Sequence, residues 1–372
     1  MTSLRGVKDE RTARLAWARI AEPTDQVAEA LIERFGFEDA LALAARGGRA
    51  PSGKPVDRFA ARLQTLDIER DLEICAQLDA RILVPGDLEW PAAVEDLDGP
   101  PWCLWVRGPL DLTDLPRRSV AVVGARASTA YGNHVAAEIA SGTAARGFTV
   151  ISGAAFGIDA AAHRGALAVG APTVAVLACG VDRPYPAAHA DLLRQIGASG
   201  AVVSEVPPGS APTRFRFLAR NRIIAALATG TVVVEAGLRS GSLSTLGAAA
   251  KLGRPVAAVP GPVTSMASAG CHLAIRDLDA TLVTDAGEVV DLLGRIGTED
   301  MAPEKRGPTR VEDGLDPLPR QVWGVLAPYR SKTVDEITVQ AGLSVQEVLG
   351  ALGQLQVAGL AEQRLDGWGR QS

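Results

Sequence analysis

The feature of this sequence that most constrains its fold is a series of short, uninterrupted runs rich in Val, Ile and Ala. Strands buried on both faces read as continuous apolar runs, and the helical patterns between these runs supply crossover connections. We therefore predict a doubly wound, mainly parallel α/β sheet of the Rossmann type. The predicted strands are Ser119–Val123, Phe148–Ile151, Thr173–Leu177, Ala201–Val203, Thr231–Val234, Val256–Val259 and Thr281–Val283.

Helical patterns precede this region. Residues 1–81 predict a small helical module of the SAM or helix-hairpin-helix type, in which Thr24 caps a helix that runs to Phe35 and ends at Gly36. A second helical stretch covers Val56–Leu78. The numbers of basic and acidic residues in the module are nearly equal, which predicts no strongly charged binding surface on it.

The α/β domain is predicted to span residues 82–297, and a polar linker containing Pro and Gly follows at 298–314. After it, helical spacing and a short paired tail predict a winged helix over residues 315–372. Its predicted helices are Pro319–Ala327, Thr333–Ala341 and Val345–Ala358, with the wing between Leu360 and Trp368.

Composition limits the class of protein. The chain has 372 residues, of which 47% are hydrophobic and 22% charged, which is typical of a globular protein with two or three domains. Its net charge of −5 means that any nucleic-acid site must be a local patch. The four cysteines form no CxxC pair, so we expect buried thiols, no metal or cofactor, and a cytoplasmic protein without a membrane span.

One polar segment, RFRFLARNR at residues 214–222, is the clearest candidate for a binding surface. No Asp or Glu occurs from Val206 to Val234, so no acid close in sequence neutralises its four arginines. Guanidinium groups pair with phosphates and aromatic rings stack on bases, so the pattern predicts a surface for single-stranded nucleic acid. The alternative is a solvated amphipathic helix with two core phenylalanines. The candidate contacts are Arg214, Phe215, Arg216, Arg220, Asn221 and Arg222.

Gly- and Ser-rich turns follow several predicted strands and offer backbone N–H groups to an anion at the carboxyl edge of the sheet. Neither GxGxxG nor GxxxxGKS/T is present, which argues against a dinucleotide site. Arg126 beside such a turn suits a backbone phosphate, the alternative being a tight turn with a surface arginine. The candidates on this rim are Gly124, Arg126, Ser152, Gly153, Ser240, Gly241, Ser242 and Gly270.

Asp159 and His163 stand four residues apart on one helix face after the second strand. Such a pair can be a catalytic dyad or part of a metal site, but two ligands make a weak site. We predict a structural hydrogen-bonded pair that fixes the turn. The sequence contains no GxSxG or HExxH motif, so it shows no evident catalytic residue.

Seven segments follow one another along the α/β region: VAVVGARASTAYG, SGAAFGIDAAAH, LACGVDRPYPAAH, SEVPPG, FRFLARNRIIAAL, VVVEAGLRSGSLST and VPGPVTSMASAGCHLAIRD. In identity and order they resemble the motifs of the DprA/Smf family of DNA-processing proteins, over about residues 82–295. The resemblance implies an extended Rossmann fold that binds single-stranded DNA and is not an enzyme. It also implies a homodimer through the Rossmann domain, protection of incoming strands in natural transformation, and help in loading RecA.

The resemblance also assigns roles to residues. Arg126 matches the family's DNA-contacting arginine, and Arg214 and Phe215 fall where the family has a basic residue and a base-stacking aromatic. The chain departs from the family pattern at Phe156 and Ala269, where arginine is usual, and at Leu218, where proline is usual. Unless Arg214, Arg216 and Arg239 compensate, the absence of two cations weakens the site.

Two alternative functions follow from the same residues. A nucleotide-processing enzyme of the lysine-decarboxylase-like (LOG) group shares this fold type, but the segment from Val234 to Ser244 lacks the PGGxGT turn of that group. A duplex-binding regulator is disfavoured because the candidate recognition helix, Ser344 to Gly359, contains no Arg or Lys. The apolar residues near the end of the α/β domain face either a dimer partner or the core: Val289, Val290, Leu292 and Leu293.

Overall fold

A computed structural model describes residues 6–51, 53–113, 115–294 and 314–371. Within these residues, nine strands form one sheet in the order β1-β2-β6-β5-β4-β3-β7-β8-β9. They are β1 (Ala80–Leu83), β2 (Leu104–Arg107), β3 (Ser119–Val123), β4 (Thr149–Ser152), β5 (Thr173–Leu177), β6 (Ala201–Ser204), β7 (Gly230–Val233), β8 (Val256–Ala258) and β9 (Thr281–Leu282). Strands β3 to β9 pair in parallel, and β2 joins β6 and β1 in antiparallel fashion. The doubly wound, mainly parallel sheet is confirmed.

The sheet reverses its direction of growth between β3 and β7. From β3 the chain builds outward through β4, β5 and β6, and then returns to place β7 on the other side of β3. Every residue of β3 and of β5 is buried, as the continuous apolar runs predict. In open α/β sheets, ligands bind beyond the carboxyl ends of the strands at such a switch point.

The sequence did not predict β1 and β2. Trp105 of β2 is fully buried and pairs across the sheet with Ser204, which extends the sheet by two antiparallel strands. The segments ARIL of β1 and LWVR of β2 each contain an arginine. Neither segment is therefore a continuous apolar run of the kind that marked the parallel strands.

Helices cover both faces of the sheet. They are α5 (Ala130–Ala145), α6 (Ile158–Ala168), α7 (Ala190–Ser199), α8 (Arg214–Leu227), α9 (Ser242–Lys251), α10 (Ala269–Asp277) and α11 (Ala286–Leu293). One face packs against α5, α6 and α11 through residues such as Val120 and Val122, and the other packs against α8, α9 and α10. Val289, Val290 and Leu293 are buried in the first of these cores, so they are core residues.

In the described part of the chain before the sheet there are four helices: α1 (Glu10–Ile20), α2 (Gln26–Arg46), α3 (Asp57–Leu63) and α4 (Ile68–Gln77). The predicted cap is one residue wrong, because Asp25 accepts hydrogen bonds from the Val27 and Ala28 amides while Thr24 adopts a φ of 58°. Gly36 interrupts the helix with a φ of 75°, but helical structure resumes and continues to Arg46. These helices share a hydrophobic core with the sheet that includes Trp105.

The chain falls into two compact units, Met1–Ala302 and Pro303–Ser372. The second unit contains α12 (Pro317–Val325), α13 (Val334–Ala341), α14 (Val345–Val357) and the antiparallel pair β10 (Ala361–Arg364) and β11 (Gly367–Arg370). Thr333 and Ser344 cap α13 and α14 through capping boxes. This arrangement confirms the predicted winged helix. Across the described ranges of both units, no helix is long and apolar enough to span a membrane.

Candidate nucleic-acid interface

A cleft of about 560 Å³ opens at the switch point, beyond the carboxyl ends of β3 and β7. The amide of Ala125 donates to the carbonyl of Glu235 at 2.7 Å, which ties together the turns that follow these two strands. Eight of the fourteen predicted contacts line the cleft: Gly124, Arg126, Arg214, Arg220, Asn221, Ser240, Gly241 and Ser242. Other lining residues were not predicted as contacts, among them Asp159, Tyr185, Phe217, Leu218 and Arg239.

Helix α8 forms one wall of the cleft. Its N-cap is Thr213, whose hydroxyl accepts from the Arg216 amide at 3.2 Å. The wall positions recur at intervals of three and four residues, as one face of a helix requires. They are Arg214, Phe217, Leu218, Asn221 and Ile224, and Arg220 of the same helix also lines the cleft. Phe215 is 48% exposed and lies outside the lining, so the base-stacking role predicted for it stays a prediction.

An aromatic and cationic stack stands at the cleft. The guanidinium carbon of Arg126 lies 4.3 Å from the centre of the Phe217 ring, within cation–π distance. Tyr185 approaches the same ring with a centroid separation of 5.7 Å and an interplanar angle of 49°. The stack joins the turn after β3, the turn after β5 and helix α8. It offers π surface beside a cation that lies at the solvent-exposed surface.

The four arginines of the 214–222 stretch have different environments. Arg216 binds both carboxylate oxygens of Glu22, at 2.7 and 3.0 Å, and Arg222 pairs with Glu205 in a nearly buried setting. Arg220 is only 7% exposed and donates to the carbonyls of Gly153 and Val176. The sequence contained no neighbouring acid, but the fold brings two from distant positions. Arg214 alone of the four is solvent-exposed.

Two further arginines join Arg214 at the cleft, namely Arg126 and Arg239, and both are exposed. None of the three forms an ion pair with any residue that the structure describes. Asp159 is the one acidic side chain among the described lining residues, and it is buried. The exposed charge at the mouth is therefore positive and is available to an anionic ligand.

Buried Asp159 organises the turn after β4. Its Oδ2 accepts from the amides of Gly153 and Ala155 at 3.1 and 3.3 Å. Burial raises the pKa of the Asp159 carboxyl, and the neighbouring Arg220 guanidinium opposes that shift. Burial likewise lowers the pKa of Arg220, which Asp159 opposes.

The predicted pairing of Asp159 with His163 is wrong. His163 is fully buried and its Nδ1 shares a 2.9 Å hydrogen bond with the Thr173 hydroxyl, while Asp159 fixes the turn by itself. The described part of the chain holds no group of three or more His, Cys, Asp or Glu residues suited to a metal ion. All four cysteines are buried thiols.

Three predicted rim residues are buried and lie outside the lining of the cleft. The Ser152 hydroxyl donates to the Val122 carbonyl at 2.7 Å, which ties β4 to β3. Gly153 has no room for a side chain because Arg220 occupies the space where a Cβ would lie. Gly270 donates its amide to the Ala236 carbonyl at 2.7 Å. Their direct contact with a ligand stays a prediction.

Asn221 connects α8 to the Ser/Gly turn before α9. Its Nδ2 donates to the carbonyl of Gly241 at 3.1 Å and to the hydroxyl of Ser244 at 2.8 Å. The Ser240 and Ser242 hydroxyls lie 2.7 Å apart. Polar atoms of this turn therefore line the cleft together with the aromatic stack.

Sequence reasoning passed over Tyr185 and Phe217 as site residues. Tyr185 follows β5 in the segment RPYP, and the turn position after a buried strand was the available signal. For Phe217, helical periodicity from Arg214 was the signal, since three residues separate them. Arg239 was named only as a compensating cation.

A second, shallower groove of about 750 Å³ shares Arg126 with the cleft. Exposed Arg164 lines it, together with Phe156, whose ring makes an edge contact with His189 at 4.8 Å. Phe156 is the position where the family resemblance implied an arginine. Arg164 supplies a cation in the same groove.

Two family models match the chain. The model described as DNA recombination-mediator protein A covers residues 81–294, and the DprA winged helix domain covers residues 306–367. The putative DNA processing protein DprA of Mycobacterium tuberculosis is 45% identical over 372 residues, covering 96% of this chain and 94% of that protein. Protein Smf of Escherichia coli is 38% identical and covers 74% of each chain.

Solved structures agree. DprA from Streptococcus pneumoniae matches with a TM-score of 0.63 and 33% identity, over 77% of this chain and 98% of that one. DprA from Helicobacter pylori, described for its single-stranded DNA binding mode, matches with a TM-score of 0.53 and 28% identity, over 59% of this chain and 97% of that one. By sequence, by family model and by fold, the chain belongs to the DprA family of DNA recombination-mediator proteins.

Proposed function

We propose that this protein binds single-stranded DNA in the cleft between α8 and the turns that follow β3 and β7. The observation that carries the proposal is the convergence of Arg126, Arg214 and Arg239 around the stack of Arg126, Phe217 and Tyr185. Cationic side chains neutralise phosphates, and aromatic rings stack on unpaired bases. The single-stranded DNA binding described for the Helicobacter pylori relative supports the same ligand.

Single strands suit this cleft better than duplexes. Stacking on Phe217 or Tyr185 requires a base whose face is exposed, and in a duplex both faces of each base are covered by neighbours. The polar groups of the turn at residues 240–242 serve the phosphates and sugars, so the contacts are tolerant of sequence. We expect little discrimination among bases.

An enzymatic role in nucleotide processing is the second candidate, and it needs a glutamate that acts on the sugar. Glu235 is the one acidic residue of the segment from Val234 to Ser244, which stands where that enzyme group has its PGGxGT turn, and its position argues against this role. Glu235 is 2% exposed, and both of its carboxylate oxygens accept hydrogen bonds from Thr129, at 2.6 and 2.8 Å. The carboxylate therefore holds the start of α5 instead of facing a sugar. An assay for base release from nucleoside monophosphates tests this, and turnover would favour the enzyme.

The cellular role that we propose is the one that family membership implies. The protein protects incoming strands in natural transformation and helps load RecA, acting as a homodimer through its α/β domain. RecA filament formation on strands coated with single-strand-binding protein tests the loading step. Light scattering on residues 1–302, the compact unit that contains the α/β domain, tests the dimer, and a monomer at micromolar concentration contradicts it.

The decisive experiment is fluorescence anisotropy with matched single- and double-stranded oligonucleotides at two salt concentrations. We expect tighter binding of the single strand and an affinity that falls as salt rises. Equal affinity for the two forms would overturn the proposal.

A further inference from the structure

The helical module at the start of the chain binds the helix that forms the cleft wall. Glu22, in the connection between α1 and α2, accepts from Arg216 Nε at 2.7 Å and from Arg216 Nη2 at 3.0 Å. Paired bonds of this kind fix both distance and orientation. The side chains are 32% and 17% exposed, so the contact is partly shielded from water.

The segment that leads into α8 is held by the same module. Arg19 Nη2 donates to the Pro208 carbonyl at 2.9 Å, and Arg19 is itself anchored on Asp71. Within the α/β domain, Asp182 accepts from the Gly209 amide at 2.8 Å. Arg216 Nη1 also donates to the Ala211 carbonyl at 2.8 Å. A segment without regular secondary structure is thus fixed at several backbone positions.

Arg216 shares the first turn of α8 with Arg214 and Phe217, which line the cleft. One side of this turn binds the module and the other carries the cation and the aromatic ring. The Arg126–Phe217 contact depends on where the start of α8 lies. A shift of the start of α8 therefore moves the binding surface.

We propose that Glu22 is a positioning residue for the DNA cleft, acting through Arg216 to hold the start of α8 in its binding arrangement. The inference rests on the proposed single-stranded DNA function. For the DNA affinity of a variant without the Glu22 charge, it predicts a change opposite in sign to that expected from simple electrostatics. Removing an acid beside a basic site strengthens the attraction for DNA, whereas releasing α8 weakens binding.

The test is Glu22→Gln in the full-length protein, with anisotropy on a labelled oligothymidylate. If the binding-competent fraction falls to about a tenth, the apparent affinity falls about tenfold. The matched control is Glu33→Gln, which removes the same charge from an exposed site on α2, a helix that packs on α1 and α3. We expect the control to bind as the unmodified protein does. Unchanged or tighter binding by Glu22→Gln overturns the inference.

Two further measurements separate positioning from general damage. Hydrogen exchange of residues 206–218 is expected to quicken in Glu22→Gln but not in Glu33→Gln, and equal exchange overturns the inference. In a double-mutant cycle of Glu22→Gln and Arg216→Gln, the double variant is expected to bind no worse than whichever single variant binds more weakly. Additive reductions in affinity overturn the route through Arg216. If the unmodified protein fails to bind the oligonucleotide, the proposed function falls; if it binds and Glu22→Gln binds equally well, only this inference falls.

Discussion

The guanidinium carbon of Arg126 lies 4.3 Å from the ring centre of Phe217, although the two residues belong to different elements and are distant in sequence. Arg126 extends from the turn after β3, and Phe217 from the fourth position of α8. The contact therefore joins the turn after β3 to the helix that forms one wall of the cleft. We propose that a phosphate and a base of the DNA bind together at this contact.

Arg126→Ala should weaken single-stranded DNA binding and make it less sensitive to salt. For each phosphate that the protein no longer neutralises, the slope of log affinity against log salt becomes shallower by about 0.7 on single strands. Anisotropy titrations over a salt series give that slope. Arg146→Ala is the matched control. Arg146 is also exposed, but it lies at the C-terminal end of α5, whereas Arg126 lies in the turn that precedes the N-terminal end of that helix. An unchanged slope for Arg126→Ala would contradict the phosphate contact.

Phe217→Ala should weaken binding more than Phe215→Ala does, because Phe217 lines the cleft and Phe215 does not. Stacking on one base is worth about 1–3 kcal/mol, so the affinity should fall about tenfold to a hundredfold. This loss of affinity should change little with salt concentration. Phe217→Leu keeps apolar volume but removes the ring, and it should lose nearly as much affinity. A greater effect of Phe215→Ala would return the stacking role to the residue that the family resemblance indicated.

Arg222→Leu should act on stability and not on DNA contact. It leaves the carboxylate of Glu205 buried without its partner, which costs about 3–5 kcal/mol. Urea denaturation measures the free energy of unfolding. The double variant Glu205→Leu/Arg222→Leu should recover much of that free energy, since no lone charge remains. A stable Arg222→Leu protein with a reduced salt slope would instead place Arg222 on the DNA.

His163 should make the protein less stable in mild acid. Burial lowers the pKa of His163 from 6.5 to about 3, so between these values the unfolded chain binds a proton that the folded chain does not. Above pH 6.5 the neutral His163 costs no stability, because it is unprotonated in both the folded and the unfolded chain. The free energy of unfolding then declines as the pH falls from 6.5 towards 3. From about pH 7 to about pH 5 the decline amounts to about 2 kcal/mol.

His163→Leu should flatten that part of the stability profile. The Thr173 hydroxyl keeps its hydrogen bond to the Val150 carbonyl, so the substitution leaves no orphaned donor at this described site. Urea denaturation at a series of pH values gives the comparison. An equally steep profile in the variant would assign the acid sensitivity to other groups.

Removal of residues 305–372 should leave single-stranded DNA affinity within a few-fold of that of the intact protein. Helix α14 carries no Arg or Lys, and its exposed apolar residues include Val345, Leu349 and Val357. Residues 312–372 contain five basic and eight acidic residues, which disfavours approach to phosphates. A hundredfold or greater fall in affinity would mean that the DNA site lies elsewhere.

Local pattern was sufficient to predict the central architecture. Continuous Val-rich runs located β3 to β8, because burial on both faces leaves its mark in adjacent residues. The β-branched run at Thr281–Val283 located β9, although both residues of that strand are exposed. The Gly and Ser turns after those strands indicated the edge where the cleft lies. The short antiparallel strands β1 and β2 were not predicted, because an arginine in each of them interrupts the apolar pattern.

The charges of the 214–222 stretch show what only the tertiary structure decided. The stretch contains four arginines and no acid, but acids outside it neutralise two of them. Glu22 pairs with Arg216, and Glu205 pairs with Arg222. Arg220 turns inward to backbone carbonyls, which leaves Arg214 at the surface. Residue type and spacing follow from the sequence. Whether a charge meets solvent depends on which distant side chain the fold places beside it, because electrostatic attraction acts through space and not along the chain.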